Sequence, residues 1–527
     1  MGIYLNPGTT GFRESLNSQI YVDKSGLIAH TSACLGTKQK YMCVSRPRRF
    51  GKSMAMDMLA AYYNCGVDSH ELFEGSVISK DASFEANINK YNVIKLNIQM
   101  FLSSTHDIDE MLKKIKQYVT AEIKIAYPNL IYLDDTDLAQ TMADVYVQTG
   151  KQFVILMDEW DCIFREYREK KEEQNKYLDF LRMWLKDQEY VALAYMTGIL
   201  PIKKYGTHSA LNMFTEYSMT DPGELAEFFG FTDAEVKNLC QAYTMDYAEC
   251  KAWYDGYTLK SGDTVYSMYN PKSVVEAMLR HKFGTYWNRT ETYEALKVYI
   301  QMNMDGLKDA VVSMMTGARV EIDICGFEND MVTFAGADDV MTLLTHLGYL
   351  TYDEDARTVE IPNKEVYQEY ATSVKRMEGW GEVARSVDAS RKLLERLWEK
   401  DGEAVAKAID TAHNEISILK YNDENSLSCT INLAFYFAKE YYNIVREFPT
   451  GKGFADICFV PRPLHMDKPA AIIELKYDKT ANGAIEQIRQ KQYVDAFKDY
   501  HGNLLLCGIN YDKDTKTHTC EIKNTEL

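Results

Sequence analysis

The sequence predicts an α/β protein of several domains, which begins with a parallel sheet covered by helices on both faces. Amphipathic helical patterns separate four apolar runs that predict strands: Tyr41–Val44, Tyr91–Ile98, Phe153–Met157 and Val191–Met196. Continuous apolar runs are typical of strands buried on both faces, and strands that alternate with helices favour a parallel sheet. At 527 residues the chain is too long for one core, so we expect several domains.

A phosphate-binding loop is predicted directly after the first strand. Residues 46–53 read Arg-Pro-Arg-Arg-Phe-Gly-Lys-Ser, and a Met-, Leu- and Ala-rich helix follows. In such a loop the backbone N–H groups face phosphate, Lys52 reaches the β- and γ-phosphates, and the Ser53 hydroxyl binds Mg²⁺. The usual pattern begins with Gly, where this chain has Arg46. By itself the motif is therefore incomplete, and a turn that merely contains Gly-Lys-Ser is the alternative interpretation.

Two adjacent carboxylates end the strand Phe153–Met157. We expect Asp158 to organise the Mg²⁺ shell and Glu159 to orient the attacking water. The alternative is a core strand that ends in a solvated acidic turn, but the order and spacing of the two motifs favour a site for ATP or GTP. Thr197, at the end of the next strand, is expected near the γ-phosphate as a sensor, with a strand cap as the other interpretation.

The composition is that of an ordinary globular protein, with 46% hydrophobic and 26% charged residues. No apolar run approaches the roughly 18 residues of a membrane span. The N-terminal residues lack the basic and then apolar pattern of a secretory signal. The 11 cysteines are scattered without a C-x-x-C pair, which indicates a reducing compartment and no zinc framework. We therefore expect a cytoplasmic protein without membrane contact.

The net charge of −18 argues against a general nucleic-acid coat, because binding to phosphates needs a local excess of Lys and Arg. Any contact with DNA or RNA must then be confined to a local basic track. The charge does not exclude a nuclease, whose site is acidic around its metal. The sequence leaves the oligomeric state open, homo-oligomers included.

The predicted domains follow from shifts in pattern along the chain. We place them at 1–220 for the sheet, 221–300 for a helical lid, 301–381 for a winged-helix-like module and 382–527 for a C-terminal α/β domain. The lid contains a capping box at Thr232 and Glu235. The module combines a helix, Ala337–Leu347, with two strands around the acidic turn Asp353–Asp355. Since this turn would repel phosphate, we interpret the module as a protein-contacting or scaffold domain rather than a DNA reader.

A second set of chemical groups lies near the C-terminus. Asp456 opens one apolar strand, and Glu474 and Lys476 end the next, two residues apart and so on the same face. If the strands pair, the carboxylates can hold one or two Mg²⁺ ions while the lysine positions the nucleophile for phosphodiester hydrolysis. The alternative is a hairpin with surface charges, although unpaired charges inside such apolar strands would be unfavourable.

The motifs as a set resemble the bacterial AAA-ATPase-like family. The N-terminal segments that carry the resemblance are Tyr21–Ser25, Arg46–Ser53, Met157–Glu159, Thr197–Gly198, Trp253–Tyr257 and Tyr269–Pro271. The C-terminal block resembles the PD-(D/E)XK nuclease superfamily, whose domain is restriction-endonuclease-like, and Ile361–Val366 is similar to a linker motif of the same family. In this family the first Gly of the loop is typically replaced by Arg, so Arg46 fits.

The resemblance implies ATP and Mg²⁺ as cofactors and assigns roles by position. The nucleotide contacts would be Arg46, Arg49, Gly51, Lys52, Ser53, Asp158 and Thr197. Mg²⁺ would be held by Ser53, Asp158, Asp456 and Glu474. The catalytic residues would be Glu159, Asp456, Glu474 and Lys476. Gln487 and Tyr493 match a helical signature of the superfamily, and its further helical carboxylate would be either Glu424 or Glu447. For Arg48 and Arg49 a solvated loop remains the alternative to a phosphate or partner contact.

The function predicted on this basis is an ATP-binding and ATP-hydrolysing protein that controls a Mg²⁺-dependent nuclease acting on nucleic acid. The alternative is a nucleotide-switched regulatory or defence ATPase whose nuclease-like domain is inactive and serves as a binding platform. A metabolic nucleotide kinase is disfavoured because it leaves the C-terminal groups unused. Hydrolysis in many related folds needs an arginine supplied by a neighbouring subunit, and the sequence does not identify that arginine.

Overall fold

The computed structural model describes most of the chain. The described residues are 2–202, 211–287, 293–302, 304–315, 317–329, 331–375, 381–415, 431, 434–435, 438, 441–450, 453–462, 465–490 and 503–525. The chain divides into two compact units. One comprises Met1–Glu291, Asn303–Leu307 and Val320–Val366; the other comprises Thr292–Met302, Lys308–Arg319 and Tyr367–Leu527. Among the described helices, none combines the length and the apolar character that crossing a bilayer requires.

A five-stranded parallel sheet forms the centre of the first unit. Its strands, in the spatial order β2-β3-β4-β1-β5, are β1 (Tyr41–Ser45), β2 (Asn92–Asn97), β3 (Phe153–Asp158), β4 (Val191–Gly198) and β5 (Thr215–Tyr217). The four predicted strands and their parallel arrangement are confirmed. Every residue of β3 and β4 is buried, which explains their unbroken apolar runs. The short β5 was not predicted.

Helices cover both faces of this sheet. They are α1 (Thr10–Leu16), α2 (Gly26–Cys34), α3 (Lys52–Tyr63), α4 (Phe84–Asn87), α5 (Ile98–Ser103), α6 (Ile108–Ala126), α7 (Leu138–Thr149), α8 (Cys162–Glu166) and α9 (Lys171–Leu185). Strand β3 shows the two layers, since Val154 packs with Met56 of α3 while Ile155 packs with Ile115 of α6 and Val145 of α7. Alternate side chains of one strand thus enter two cores.

A smaller three-stranded sheet follows within the range predicted as a helical lid. Its strands are β6 (Phe231–Thr232), β7 (Tyr257–Ser261) and β8 (Thr264–Tyr269), in the antiparallel order β6-β8-β7, and its helices are α10 (Asp233–Tyr243), α11 (Tyr247–Tyr254) and α12 (Pro271–Arg280). The predicted capping box of Thr232 and Glu235 is confirmed at the start of α10. The sheet was missed because its strands are short and partly exposed.

The predicted helix and acidic hairpin are also present. In this stretch of the chain, α13 (Tyr293–Gln301) and, apart from its first residue, α14 (Leu307–Met315) belong to the second unit. The first unit contains β9 (Val320–Glu321), α15 (Ala337–Leu347), β10 (Thr351–Asp353) and β11 (Thr358–Glu360). Strands β10 and β11 pair around the acidic turn, and β9 pairs with β11. The proposed domain boundaries at 220, 300 and 381 remain predictions.

The second unit contains a mixed five-stranded sheet. It consists of β12 (Tyr442–Thr450), β13 (Gly453–Pro461), β14 (Ala470–Tyr477), β15 (Leu504–Asp512) and β16 (Thr517–Thr525) in this spatial order, with helices α16 (Lys364–Lys375), α17 (Gly381–Glu399), α18 (Gly402–Glu415) and α19 (Ala481–Gln490). Strands β14 and β15 are parallel, and the other pairs are antiparallel. Ile472 of β14 packs with Ile488 of α19, while Ile473 and Leu475 pack with α17 and α18 on the other face.

Candidate functional site

The loop between β1 and α3 closes around its own lysine. Lys52 Nζ donates to the carbonyl oxygens of Arg46 and Pro47, both at 2.9 Å, and the side chain is 5% exposed. Burial lowers the Lys52 pKa, against the nearby carboxylates of Glu159 and Asp158. Gly51 has φ 91°, a left-handed conformation that favours glycine, although a Cβ there would meet no atom within 4 Å. The motif's glycine therefore serves the turn, and the lysine is held at the loop's centre.

Asp158 is the meeting point of three elements. Its Oδ2 accepts a hydrogen bond from Ser53 Oγ at 2.6 Å, and its Oδ1 accepts one from Thr197 Oγ1 at 2.6 Å. The backbone N–H of Glu159 also donates to Oδ1, at 3.0 Å. The parallel register sets Asp158 opposite Thr197 on β3 and β4, so the carboxyl ends of the strands bring these groups together. A hydroxyl and a carboxylate at this distance are the hard oxygen donors that Mg²⁺ prefers.

An arginine that the sequence analysis did not identify binds the second carboxylate of this motif. Arg165 on α8 donates through Nη2 to Glu159 Oε2, and its Nε lies 3.3 Å from Asp161 Oδ2, within ion-pair distance but not aligned as a hydrogen bond. Asp161 is fully buried and also accepts from the backbone N–H groups of Ile199 and Leu200, at 3.0 and 2.9 Å.

The geometry around Arg165 is unusual in two respects. Although burial opposes its charge, the carboxylates of Asp161 and Glu159 raise its pKa on balance. Glu159 has φ 53°, in the left-handed region that non-glycine residues seldom adopt. The i,i+4 spacing of Asp161 and Arg165 at a helix start was the signal available in the sequence.

Arg46 differs from its prediction as a nucleotide contact. Its side chain is fully buried, and Nη1 donates to the carbonyl oxygens of Ser45, Tyr217 and Ser218 at 2.9, 2.8 and 2.9 Å. The guanidinium lies 5.5 Å from the centre of the Phe229 ring, and burial lowers the Arg46 pKa to about 10. The side chain thus fastens β5 to β1, while the Arg46 carbonyl oxygen accepts from Lys52.

A cavity of about 1150 Å³ opens beside the loop. One part of its wall is polar and includes Arg48, Arg49, Lys52, Ser53, Glu159 and Arg165. Another part is apolar and includes Ile20, Tyr21, Val22, Phe228, Phe231 and Val275. Arg49 Nη1 also donates to the carbonyl oxygens of Tyr286 (3.1 Å) and Trp287. The volume and the division of the wall suit a ligand with an apolar ring at one end and anionic groups at the other.

The second predicted group of residues is assembled on the sheet of the second unit. Asp456 Oδ2 accepts from the backbone N–H of Leu475 at 2.7 Å. Lys476 Nζ lies 3.1 Å from Glu474 Oε1, and Gln487 Nε2 of α19 donates to the same oxygen. Glu474 is 1% exposed. The two carboxylates lie on neighbouring strands, and the side chains of Glu474 and Lys476 project from the α19 face.

A glycine allows α19 to lie against this face. A Cβ on Gly508 would come within 2.2 Å of the Ala481 carbonyl oxygen and 3.0 Å of Ala484 Cβ. Helix α19 therefore approaches β15 more closely than a larger residue would permit, which places Gln487 over Glu474. Tyr493 and Glu424 lie outside the described residues, and so does the side chain of Glu447, which belongs to β12.

Comparisons with known families match the two ends of the chain. Residues 8–207 match the AAA-ATPase-like family model, described as a predicted AAA-ATPase. Residues 423–521 match a model of the PD-(D/E)XK nuclease superfamily. An uncharacterized protein in the vnfD 5′ region of Azotobacter chroococcum mcd 1 is 24% identical over 279 residues, which are 52% of this chain and 51% of that protein. The matched segment thus spans about half of the curated relative.

Among solved structures, the matches include Cdc6p from Pyrobaculum aerophilum (7% identity, TM-score 0.23) and the ORC2 protein of Aeropyrum pernix (9%, 0.31). The ORC1 protein of Aeropyrum pernix, solved in complex with DNA, also matches (10%, 0.26). Each match covers 71% of this chain and 98% of the other. TM-scores of this size do not establish a shared fold. The two family matches thus fall on the two assembled groups of residues and confirm the predicted architecture: residues 8–207 are similar to the AAA-ATPase-like family, and residues 423–521 are similar to the PD-(D/E)XK nuclease superfamily.

Proposed function

We propose that the first unit binds and hydrolyses ATP and that the second unit cleaves phosphodiester bonds of nucleic acid under its control. The observation that carries the proposal is the convergence of Ser53, Thr197 and Glu159 on Asp158, beside the buried Lys52. A nucleoside triphosphate matches both parts of the neighbouring cavity. Its base fits the apolar wall, and its phosphates fit the loop and the helix N-terminus.

Each residue of the first site then has a task. Lys52 exchanges its two carbonyl acceptors for phosphate oxygens, Thr197 senses the terminal phosphate, and Glu159 orients the attacking water. Ser53 and Asp158 have the donor atoms to hold Mg²⁺, which when bound would neutralise charge on the phosphates. Arg49, which lies in the loop and lines the cavity, contacts a phosphate of the nucleotide.

The residues of the second unit support hydrolysis of a phosphodiester. Asp456 and Glu474 offer the carboxylate oxygens for Mg²⁺, which when bound would activate a water molecule. Lys476 holds the nucleophile and offsets charge that develops on the phosphate. Gln487 orients Glu474.

A binding platform without catalysis is the second candidate function for this domain. It is favoured by the burial of Glu474 and by the two donors, Lys476 and Gln487, that already occupy its Oε1. In both functions the protein acts in the cytoplasm, which agrees with the ten cysteines among the described residues, all of them free thiols. Neither of these two functions requires the chain to form a homo-oligomer.

The deciding experiment incubates the purified chain with linear DNA, supercoiled DNA and RNA in Mg²⁺ or Mn²⁺, with and without ATP. Lys476→Ala and Lys52→Ala are assayed alongside. Cleavage that disappears with Lys476→Ala and responds to ATP only when Lys52 is present supports a nucleotide-controlled nuclease. Nucleotide binding without cleavage of any substrate supports the binding platform. A wild-type chain that binds no nucleotide contradicts the proposal for the first unit.

A further inference from the structure

Arg165 is held at one end and free to change partner at the other. Its Nε faces Asp161, whose carboxylate is fully buried and fixed by two backbone N–H groups. Its Nη2 binds Glu159, whose side chain is 25% exposed and lines the cavity. The guanidinium therefore has a fully buried ion-pair partner on the protein side and a partly exposed partner that lines the cavity on the other side.

The surrounding charges also favour a change of partner. The carboxylates of Glu159, Asp158 and Asp161 lie near Lys52, and the guanidinium groups of Arg165 and Arg48 lie close to the same charges. A terminal phosphate that enters beside Lys52 adds further negative charge next to Glu159. An arginine that leaves Glu159 for the phosphate oxygens relieves this repulsion, and its planar fork suits a bidentate contact with phosphate.

We propose that Arg165 is the arginine of the ATPase site, supplied by the same chain, which contacts the terminal phosphate of ATP and so releases Glu159 to orient the water. The inference rests on the proposed ATPase function. In the step it serves, the water oxygen forms a bond to the γ-phosphorus, and the bond from that phosphorus to the β,γ-bridging oxygen breaks. The electron pair of that bond leaves with ADP, and the proton of the water passes to Glu159 and then to solvent.

This assignment distinguishes the terminal phosphate from the rest of the nucleotide. Arg165→Ala is expected to lower kcat for ATP hydrolysis by about 1000-fold. It is expected to reduce the ratio of ATP affinity to ADP affinity by about tenfold, with the affinity for ADP unchanged. Since the arginine belongs to the same chain, the hydrolysis rate per chain is expected to stay constant over about a hundredfold range of protein concentration.

The variants are Arg165→Ala and Arg165→Gln, which keeps much of the side-chain volume, so the same measurements can be made if the alanine variant does not fold. Arg182→Ala is the matched control, because Arg182 lies on α9, is half-exposed and pairs with Asp179 at 3.6 Å. Nucleotide affinities come from calorimetry, and kcat from phosphate release. The same Arg165 substitutions in a Glu159→Gln background separate a direct contact with phosphate from an effect that acts through Glu159. The ratio of ATP affinity to ADP affinity is expected to fall in that background as well.

Three results would overturn the inference. The first is a kcat within about threefold of the wild-type value in both variants, since a difference of that size is within experimental scatter. The second is an equal loss of ATP and ADP affinity, which indicates a structural role. The third is a hydrolysis rate per chain that rises with protein concentration, which indicates an arginine from a second copy. If the wild-type chain fails to bind ATP, or if Lys52→Ala hydrolyses ATP normally, the proposed function itself fails, so the two failures are distinguishable.

Discussion

The two sites hold their central carboxylates in different ways. Asp158 receives two hydroxyl groups and one backbone N–H, all of them neutral donors. Glu474 receives the ammonium of Lys476 and the amide of Gln487. A neutral hydroxyl can turn from hydrogen-bond donor to metal ligand, whereas an ammonium group cannot become a ligand while it is protonated. The first site thus carries its own metal-binding oxygens next to the carboxylate, and the second balances buried charge with charge.

The largest difference between the sites is expected when each loses its lysine, beginning with the second. Lys476→Ala is expected to abolish cleavage and to destabilise the second unit by about 3 kcal/mol or more, because Glu474 loses its buried counter-charge. The measurements are a cleavage assay and urea unfolding followed by circular dichroism. Lys513→Ala, which removes a half-exposed partner of Asp478, is the control. Unchanged stability in Lys476→Ala would show that the pair is solvated rather than buried.

The corresponding change in the first site is expected to spare stability. Lys52→Ala leaves two neutral carbonyl oxygens in place of a buried charge, so unfolding should shift little. Nucleotide affinity is expected to fall by about 100-fold or more, because the phosphates lose their central cation. Calorimetric titration with ATP checks this, with the surface variant Lys124→Ala as the control. Equal affinities in Lys52→Ala and wild type would contradict the site.

A packing change tests how finely the second site depends on α19. Gly508→Ala is expected to push the helix away from β15, destabilise the unit by about 2 kcal/mol and move Gln487 from Glu474. Cleavage should then fall in parallel with the loss of stability. Gly336→Ala serves as the control, because a Cβ there has open space and its φ is extended. A stable Gly508→Ala variant with full activity would separate the helix position from the site.

The smallest expected effect is a pH dependence that arises from two histidines of the second unit. Burial lowers the pKa of His518, although Asp410 partly opposes this, and burial likewise lowers the pKa of His413. A folded-state pKa below that of the unfolded chain means that the folded state binds fewer protons, so stability falls as the pH drops below about 6.5. Urea midpoints between about pH 7 and pH 5 should decrease, and His518→Asn should reduce the slope.

The parts of the fold and of the two sites that could be predicted are those whose sequence patterns are local. The apolar run that ends at Asp158 predicted its strand, and the Glu-x-Lys spacing predicted that Glu474 and Lys476 share a face. Both are periodic patterns a few residues long. The prediction that Asp456 meets the strand of Glu474 and Lys476 assumed that the two strands pair, and the register confirms this pairing.

The features that were missed depend on contacts between distant segments. Strand β5 has only three residues, and its place at the sheet edge is set by hydrogen bonds to Arg46, 171 and 172 residues earlier in the chain. The motif placed Arg46 in the loop, but it did not predict that the side chain is buried against β5. Arg165 carried only the spacing to Asp161 as a signal, which is also that of an ordinary surface ion pair on a helix.

The anchoring of β5 by Arg46 also bears on the order in which the domain can fold. The loop and β1 are synthesised early, but their neighbours β4 and β5 follow only at Val191–Gly198 and Thr215–Tyr217. Ser53 and its partner Asp158 are themselves 105 residues apart. Contacts this distant form late and slowly, so a growing chain exposes an unsupported loop until about the last strand has left the ribosome. A nucleotide that binds only the completed sheet would then also stabilise the folded domain, because its binding shifts the equilibrium from partly folded states toward the native state.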